Sequence, residues 1–127
     1  MPEVRALVVA SLPTPNGHYS HAMAHGDVLY ISGQLGRGPN MSDADAGDIR
    51  AQTRRSLANV AAILEAAGVD LSRLLKVTVY IAGIEHWPAV DAEYRRALGD
   101  HRPARAVVPV GPMHYGSLIE IDAIAAL

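Results

Sequence analysis

Two stretches of the chain place apolar residues three or four positions apart, the pattern of a helix with one buried face. The first covers residues 48–67 and is followed by Gly68, a residue type that commonly ends a helix. The second covers residues 87–99, with Pro88 in its first turn and Gly99 at its end. The predicted buried stripes consist of Ile49, Thr53, Leu57, Val60, Leu64 and Ala67 in the first helix and Val90, Tyr94 and Leu98 in the second, while Arg50, Arg54 and Glu65 face water.

Shorter runs around these helices predict strands. Residues 4–10 are mostly apolar, and residues 21–34 form two extended runs that meet at the stretch HGD, which predicts a hairpin. In residues 74–83 polar and apolar side chains alternate, as in a strand with one buried face. The last predicted strands are residues 105–110, expected to be buried, and residues 118–126, and loops are predicted at 11–20, 35–47 and 111–117.

The order of these elements favours an α+β fold. Three strands precede the first helix, one lies between the helices and two follow the second, so both helices can cover one face of a mixed sheet. A length of 127 residues fits one domain, residues 1–127. A domain of this size leaves much surface exposed, and assembly into an oligomer would add stability.

Composition narrows the functional classes. The net charge is −2 and no basic run occurs, so we expect no nucleic-acid partner, since such binding usually requires a cationic surface. The absence of cysteine excludes disulfides, a thiolate nucleophile and a cysteine-based metal site. The N-terminal stretch MPEVRALVVASLP is no convincing signal peptide, and no stretch approaches the ~18 apolar residues of a membrane span. We therefore expect a soluble, cytoplasmic protein without a membrane partner.

Three common kinds of site find little support in the motifs. His21 and His25 fall in a predicted strand, where their side chains would lie roughly 13 Å apart, too far for one metal ion, and we expect no metal. The stretch SGQLGRGP (32–39) matches neither the P-loop nor the complete dinucleotide fingerprint. Ser32 lacks the nucleophile-elbow sequence, and its hydroxyl is better interpreted as a hydrogen-bond partner of the backbone.

Charged residues interrupt two apolar strands. Arg105 lies at the start of residues 105–110, and arginine is almost never fully buried without a partner. Glu120 and Asp122 lie on one face of the last strand with Leu118 and Ile124, opposite an apolar face of Ile119, Ile121, Ala123 and Ala125. One interpretation is a structural ion pair between Arg105 and Glu120. The other is a site in which Arg105 binds a substrate carboxylate bidentately and Glu120 acts on a water as general base or proton carrier.

Several segments, taken together, carry a resemblance to a known family. They are GHYSHA (17–22), LYISGQLG (29–36), QTRRSLANVAAILEAAG (52–68), LLKVTVYIAGIEHWPAVDAEYRRALG (74–99), RPARAVVPV (102–110) and IEIDAIA (119–125). In this order they resemble the Rid family of reactive intermediate deaminases, which is also called YjgF-like or endoribonuclease L-PSP. The resemblance covers nearly the whole chain.

The resemblance implies a fold like that of the trimeric chorismate mutases, a six-stranded mixed sheet with two helices packed on one face. Three chains would form a homotrimer with a barrel-like centre and three clefts between subunits. The implied activity is hydrolysis of enamines and imines, such as 2-aminoacrylate, to 2-keto acids and ammonia. No cofactor is implied, and the implied partner is a small-molecule carboxylate substrate.

Matched position by position, the resemblance assigns roles to residues of this chain. Arg105 corresponds to the clamp for the substrate carboxylate, and Glu120 to the acidic residue that positions the attacking water. Tyr19 and Ser32 correspond to hydroxyl-bearing pocket positions, with Tyr19 an alternative proton relay. Gly33 corresponds to a backbone donor beside Ser32.

The chain departs from the family pattern at several positions. Val107 stands where the deaminases usually carry cysteine, and it shares a strand face with Arg105, so we expect a more apolar pocket. Asp91 replaces a common asparagine, and Ala97 and Leu98 replace an aromatic pair.

The stretch GPMHYGS (111–117) replaces a more usual charged loop. His114 and Tyr115 are therefore candidate substrate-binding residues for a larger or aromatic substrate, although an ordinary surface loop is the simpler interpretation. Three alternatives to a deaminase of small imino acids stay open. They are a pathway-specific enzyme for a larger, 2-aminomuconate-like enamine or another substrate, a non-catalytic regulator that binds small molecules, and an endoribonuclease, against which the acidic charge balance argues.

Overall fold

The computed structural model describes residues 2–127. The strands of this part are β1 (Val4–Leu7), β2 (Ala22–His25), β3 (Val28–Leu35), β4 (Leu74–Ile81), β5 (Ala104–Pro109) and β6 (Ile119–Ala126). Its helices, apart from three short 3-10 turns, are α1 (Asp43–Ala46), α2 (Ile49–Ala66) and α3 (Trp87–Leu98). The strands form one six-stranded sheet in the order β1-β2-β3-β6-β4-β5, with β4 and β5 parallel and the other neighbours antiparallel. The predicted α+β class with a mixed sheet is confirmed.

The two long helices begin and end within two residues of the predicted positions. α2 follows Asp48, whose side chain accepts a hydrogen bond from the Ala51 N–H at 3.0 Å, and it stops just before Gly68, where φ is +83°. α3 has Pro88 in its first turn, and Gly99 with φ +60° follows its last residue. Within residues 2–127, no helix combines the length and the apolar character needed to cross a membrane.

One face of the sheet is buried beneath α2 and α3. The alternation predicted for β4 and β6 is confirmed, because the buried side chains are Val77, Val79, Ile81, Ile119, Ile121, Ala123 and Ala125. They belong to one hydrophobic cluster with residues of both long helices. Burial of each large aliphatic side chain contributes about 1.5–3 kcal/mol. The opposite face carries Tyr80, Glu120 and Asp122, and the polar chemistry of the sheet is therefore concentrated there.

Two local predictions near the N-terminal half are wrong. The first strand ends at Leu7 rather than at residue 10, because the Val9 N–H donates a hydrogen bond to Nδ1 of His21 at 2.8 Å instead of to a neighbouring strand. The predicted loop 35–47 contains α1, whose N-terminus is capped by the Ser42 hydroxyl.

The prediction of a buried strand at residues 105–110 is also wrong. β5 is the last strand of the sheet and has a neighbour on one side only. Val108 and Val110 are each 36% exposed. An apolar edge strand left uncovered is a common place for another chain to associate.

A buried carboxylate joins α2 to α3. Glu93 is 3% exposed, and its side-chain oxygens lie 3.0 Å from Arg54 and 3.6 Å from Arg50 and Arg96. A buried carboxylate requires such partners, because an unpaired charge is costly to remove from water. The predicted exposure of Arg50 and Arg54 is confirmed, but both arginines also hold this cluster, which no local sequence pattern indicates.

Candidate functional site

An open cavity of about 790 Å³ lies along β3 and β6. Its walls come from the loop 11–20, the middle of β3, the polar face of β4 and β6, and the loop 111–117. The predicted site residues that it brings together are Tyr19, Ser32, Gly33, His114, Tyr115 and Glu120. Arg105 and Val107, the other two predicted site residues, are not part of its lining.

Glu120 approaches the backbone of β3 at a β-bulge. Ile31 of β3 pairs with Ala123 of β6, and Gln34 pairs with Ile121. Between these two pairs β3 has two residues, Ser32 and Gly33, whereas β6 has one. A Cβ atom on Gly33 would lie 2.8 Å from Cδ of Glu120. Glycine at this position therefore leaves room for the carboxyl group to lie against the bulged strand.

The surroundings of Glu120 favour its protonated form. Burial raises the pKa of Glu120 above the ordinary value for glutamate, and the negative charge of Asp122 raises that pKa further, whereas His114 lowers it. The Tyr80 hydroxyl donates a hydrogen bond to Oδ2 of Asp122 at 3.1 Å. The pKa of Tyr80 is also raised, first by burial and then by Asp122, so the phenol retains the proton that it donates. A raised pKa makes a carboxyl group a better proton acceptor than an ordinary glutamate and still lets it return the proton.

The two hydroxyl-bearing candidates differ in their hydrogen bonding. Oγ of Ser32 donates to the Ser20 carbonyl at 2.6 Å, which confirms the interpretation of this hydroxyl as a partner of the backbone. With its proton committed, Ser32 keeps lone pairs with which it can accept a hydrogen bond from a substrate N–H or a water. Tyr19 is 52% exposed at the rim of the cavity.

His114 and Tyr115 lie in a 3-10 turn that borders the cavity. Nδ2 of Asn16 donates to the Tyr115 hydroxyl at 2.6 Å, so the loop 111–117 is tied to the loop 11–20. Tyr115 has φ +62°, a backbone conformation that residues other than glycine rarely adopt. Both side chains are exposed, yet both are within the cavity lining.

Arg105 lies on the opposite face of the sheet from Glu120. Arg105 pairs in register with Val77, whose side chain is buried beneath the helices, and register partners point to the same face. Val107 shares that face, as predicted, and packs against the hydrophobic cluster. Glu120 instead pairs with Tyr80 on the polar face. The Arg105–Glu120 ion pair considered from the sequence is therefore not formed within one chain.

Residues of α3 surround Arg105. Its Cζ lies 4.6 Å from the ring centroid of Trp87 and 4.9 Å from that of Tyr94, which places the guanidinium over both rings. Nη1 of Arg105 lies 3.5 Å from Oδ1 of Asp91. The arginine thus has aromatic contacts and one long charged contact.

Burial raises the pKa of the Tyr94 phenol, and its hydroxyl makes no hydrogen bond within residues 2–127.

His21 has a structural position. It is 4% exposed, its Nδ1 accepts from the Val9 N–H, and its Nε2 lies 3.0 Å from the Pro13 carbonyl. Both ring nitrogens are therefore engaged by backbone groups that fix the start of the loop 11–20.

The contacts between Tyr80 and Asp122, and between Arg105 and Trp87, do not follow from local sequence patterns. Each joins residues of different elements, and the adjacency of β4 to β6 or of α3 to β5 has to be known first. Alternation in the last strand does indicate that Glu120 and Asp122 share a face. Once β4 is placed beside that face, Tyr80 follows from the register.

Comparisons of this chain with family models, with known sequences and with solved structures all point to one protein family. The family model described as Endoribonuclease L-PSP matches residues 9–127. A RutC family protein of Pyrococcus horikoshii is 42% identical over 89% of this chain and 90% of its own length. The 2-iminobutanoate/2-iminopropanoate deaminase of Homo sapiens is 35% identical over 95% of this chain and 88% of its own length. The crystal structure of the YjgF gene product from E. coli matches with a TM-score of 0.87, at 32% identity, over 96% of this chain and 98% of that one.

Proposed function

Because the chain belongs to the endoribonuclease L-PSP family, which includes YjgF, RutC and Rid proteins, we propose that it hydrolyses small reactive imines and their enamine tautomers. The products are 2-keto acids and ammonia, and the proposed substrates are 2-imino acids close in size to 2-iminopropanoate. The observation that carries the proposal is Glu120, a carboxyl group with a raised pKa that is seated in a cavity against Gly33.

Glu120 supplies the proton transfers of the reaction. Its carboxylate accepts a proton from a water while the water oxygen bonds to C2 of the imine, the electrons of the C=N bond move to the nitrogen, and the Glu120 carboxyl passes the proton on to that nitrogen. In the resulting carbinolamine, the Glu120 carboxylate takes the hydroxyl proton as the C=O bond forms and the C–N bond breaks. Glu120 returns this proton to the leaving nitrogen, which departs as ammonia, and a raised pKa suits the carboxyl group to both transfers.

Arg105 binds the substrate carboxylate. A guanidinium matches a carboxylate with two parallel hydrogen bonds, which orients C2 toward the water. Arg105 and Glu120 lie on opposite faces of the sheet in one chain, so the substrate takes Arg105 from one copy and Glu120 from another. A homotrimer with clefts between its subunits provides this geometry. The uncovered apolar edge strand β5, which carries Arg105, supports association at that edge.

The other cavity residues bind and orient the substrate. The backbone N–H of Gly33 donates to the substrate, and Ser32 accepts a hydrogen bond from the imine nitrogen. Tyr19 at the rim contributes a hydroxyl that can relay a proton. Val107, on the Arg105 side, contributes an apolar wall beside the bound carboxylate.

Two other functions of the family fold fit the chain less well. An endoribonuclease has to hold a polyanion, but this chain has a net charge of −2 and no basic run. A non-catalytic regulator would use Arg105 to bind a carboxylate but would have no need for the Glu120 carboxyl group with its raised pKa in the cavity. The imine hydrolase uses both residues.

A larger enamine or imine is the second candidate substrate. The cavity of about 790 Å³ exceeds what 2-iminopropanoate requires, and the rings of His114 and Tyr115 lie at its border. An aromatic 2-imino acid could pack its ring against them. A matched comparison of the imines of alanine and phenylalanine separates the two candidates.

A coupled assay tests the proposal. A serine dehydratase generates 2-aminoacrylate in place, and pyruvate and ammonia are followed with the wild type, Arg105→Ala and Glu120→Gln. We expect acceleration over the uncatalysed reaction by the wild type. The loss should be about a hundredfold or more in Glu120→Gln, the usual scale for a removed acid–base group, and about a hundredfold in Arg105→Ala, the scale for lost orientation of the substrate. Acceleration that persists in Glu120→Gln would contradict the assigned role of Glu120. No acceleration of either the alanine or the phenylalanine imine would contradict the proposed function.

A further inference from the structure

Asp91 has two arginine neighbours and binds them unequally. Its Oδ2 accepts a hydrogen bond from Nε of Arg95 at 2.9 Å, one helical turn further along α3. Its Oδ1 lies 3.5 Å from Nη1 of Arg105, at the limit of a hydrogen bond. The better bond of Asp91 is therefore made to Arg95, an arginine that is 79% exposed and has no place in the proposed reaction.

This division leaves the guanidinium of Arg105 largely available. Its Cζ lies over the rings of Trp87 and Tyr94, and its charge has one long contact to a carboxylate within residues 2–127. A guanidinium has five N–H donors in a planar fork. An incoming carboxylate can therefore form two short hydrogen bonds without first breaking a strong ion pair.

Asp91 is nevertheless a competitor for that fork. A carboxylate at 3.5 Å can close on Arg105 by a small side-chain rotation if nothing else holds it. It would then occupy part of the surface on which a substrate carboxylate has to bind. Two guanidiniums and one carboxylate leave this cluster a net charge of one positive unit, which matches a single substrate carboxylate.

We propose that Asp91 and Arg95 set the carboxylate affinity of the site, Asp91 by competing for Arg105 and Arg95 by drawing Asp91 away from it. Both are positioning residues that act through Arg105. The inference rests on the proposed function, because it assumes that the ligand of Arg105 is a carboxylate. It predicts opposite effects for the two members of one ion pair, which a general structural role would not produce.

Trp87 provides a measurement that does not depend on turnover. It is the single tryptophan of the chain, and the Arg105 guanidinium lies over its ring. Titration with butanoate, an unreactive monocarboxylate, should change the Trp87 fluorescence and give a dissociation constant for the Arg105 side of the site. The coupled assay gives KM and kcat for the same variants.

The variants are Asp91→Asn, Arg95→Gln, the double variant that combines these two substitutions, and Arg96→Gln. We expect Asp91→Asn to lower the dissociation constant and KM about threefold to fivefold, and Arg95→Gln to raise both by a similar factor, with kcat unchanged in each, as for a partly exposed ion pair. The double variant should behave like Asp91→Asn, because Arg95 acts only through Asp91. Arg96→Gln removes the same charge from the next position of α3, where the partner is Glu93, and should change neither value appreciably.

The outcomes separate this inference from the proposed function. If the wild type neither binds butanoate nor accelerates imine hydrolysis, the proposed function fails and the inference fails with it. If the wild type does both, but Asp91→Asn leaves carboxylate binding unchanged or weakens it, the inference alone is overturned. Equal losses in Arg95→Gln and Arg96→Gln would also overturn it, since a general charge effect would then account for the change.

Discussion

Glu120 and Arg105 have contrasting surroundings, although both interrupt apolar strands. Glu120 is held by the sheet itself, because it lies at a β-bulge against Gly33 and beside Asp122. Arg105 lies on the edge strand and is held by side chains of a helix, Trp87 and Asp91 among them. The space for the carboxyl group is therefore set by backbone geometry, whereas the guanidinium is held by side-chain contacts.

The difference indicates how the two halves of the site should respond to change. Backbone geometry at Glu120 leaves little tolerance, so a small steric change there should affect the reaction strongly. The side-chain contacts at Arg105 allow graded adjustment of affinity. Because the two halves lie on opposite sheet faces of one chain, a substitution beside one of them does not touch the other within that chain.

The largest effect is expected from Gly33→Ala. The added Cβ would lie 2.8 Å from Cδ of Glu120 and displace the carboxyl group, so imine hydrolysis should fall by about a hundredfold, the scale associated with a misplacement near 1 Å. Because a side-chain end can move, the melting temperature should change little. Gly38→Ala is the matched control, since its Cβ would meet nothing within 4 Å. Full activity of Gly33→Ala would show that the close approach of Gly33 to Glu120 has no role in catalysis.

An intermediate effect is expected on the pH dependence. As a general base Glu120 has to be ionised, so kcat/KM should fall as the pH drops through its pKa, which lies above the ordinary glutamate value. Asp122→Asn removes one of the two causes of that elevated pKa and should move the acidic limb of the profile to lower pH. A limb that stays in place or moves to higher pH would contradict this electrostatic assignment.

The smallest effect is expected on the Arg105 side, from Tyr94→Phe. The Tyr94 hydroxyl is buried without a hydrogen bond in the described residues, so its removal loses no partner and should raise the free energy of unfolding by up to about 1 kcal/mol. The ring under Arg105 is kept, and KM should therefore not change. Denaturant unfolding measures the change in the free energy of unfolding, and the coupled assay measures KM. A destabilisation of more than about 1 kcal/mol would show that the hydroxyl has a partner in the assembled protein.

The sequence predicts the framework of the molecule better than the location of its two charged groups. Periodicity suffices for α2, α3 and the alternation of β6, because each depends on residues close in the chain. The exposure of β5 depends on strand order, which local patterns do not contain. Glu120 and Gly33 meet through a bulge between β3 and β6, and Arg105 meets Asp91 through the packing of α3, so these contacts require the tertiary structure.

The central claim is that Arg105 and Glu120 from different copies act on one substrate, and a subunit-mixing measurement tests it most directly. We expect the Arg105→Ala and Glu120→Gln variants each to be inactive when assembled alone. The two variants are unfolded together in equal amounts and refolded as a mixture. If the site forms between copies, random assembly restores about a quarter of the sites, and with them the coupled pyruvate signal. A mixture of Arg105→Ala with a chain that carries both Arg105→Ala and Glu120→Gln is the control, since no copy in it has Arg105 and no complete site can form. A mixed preparation that contains both chains in one assembly, yet is no more active than the control, would contradict the claim.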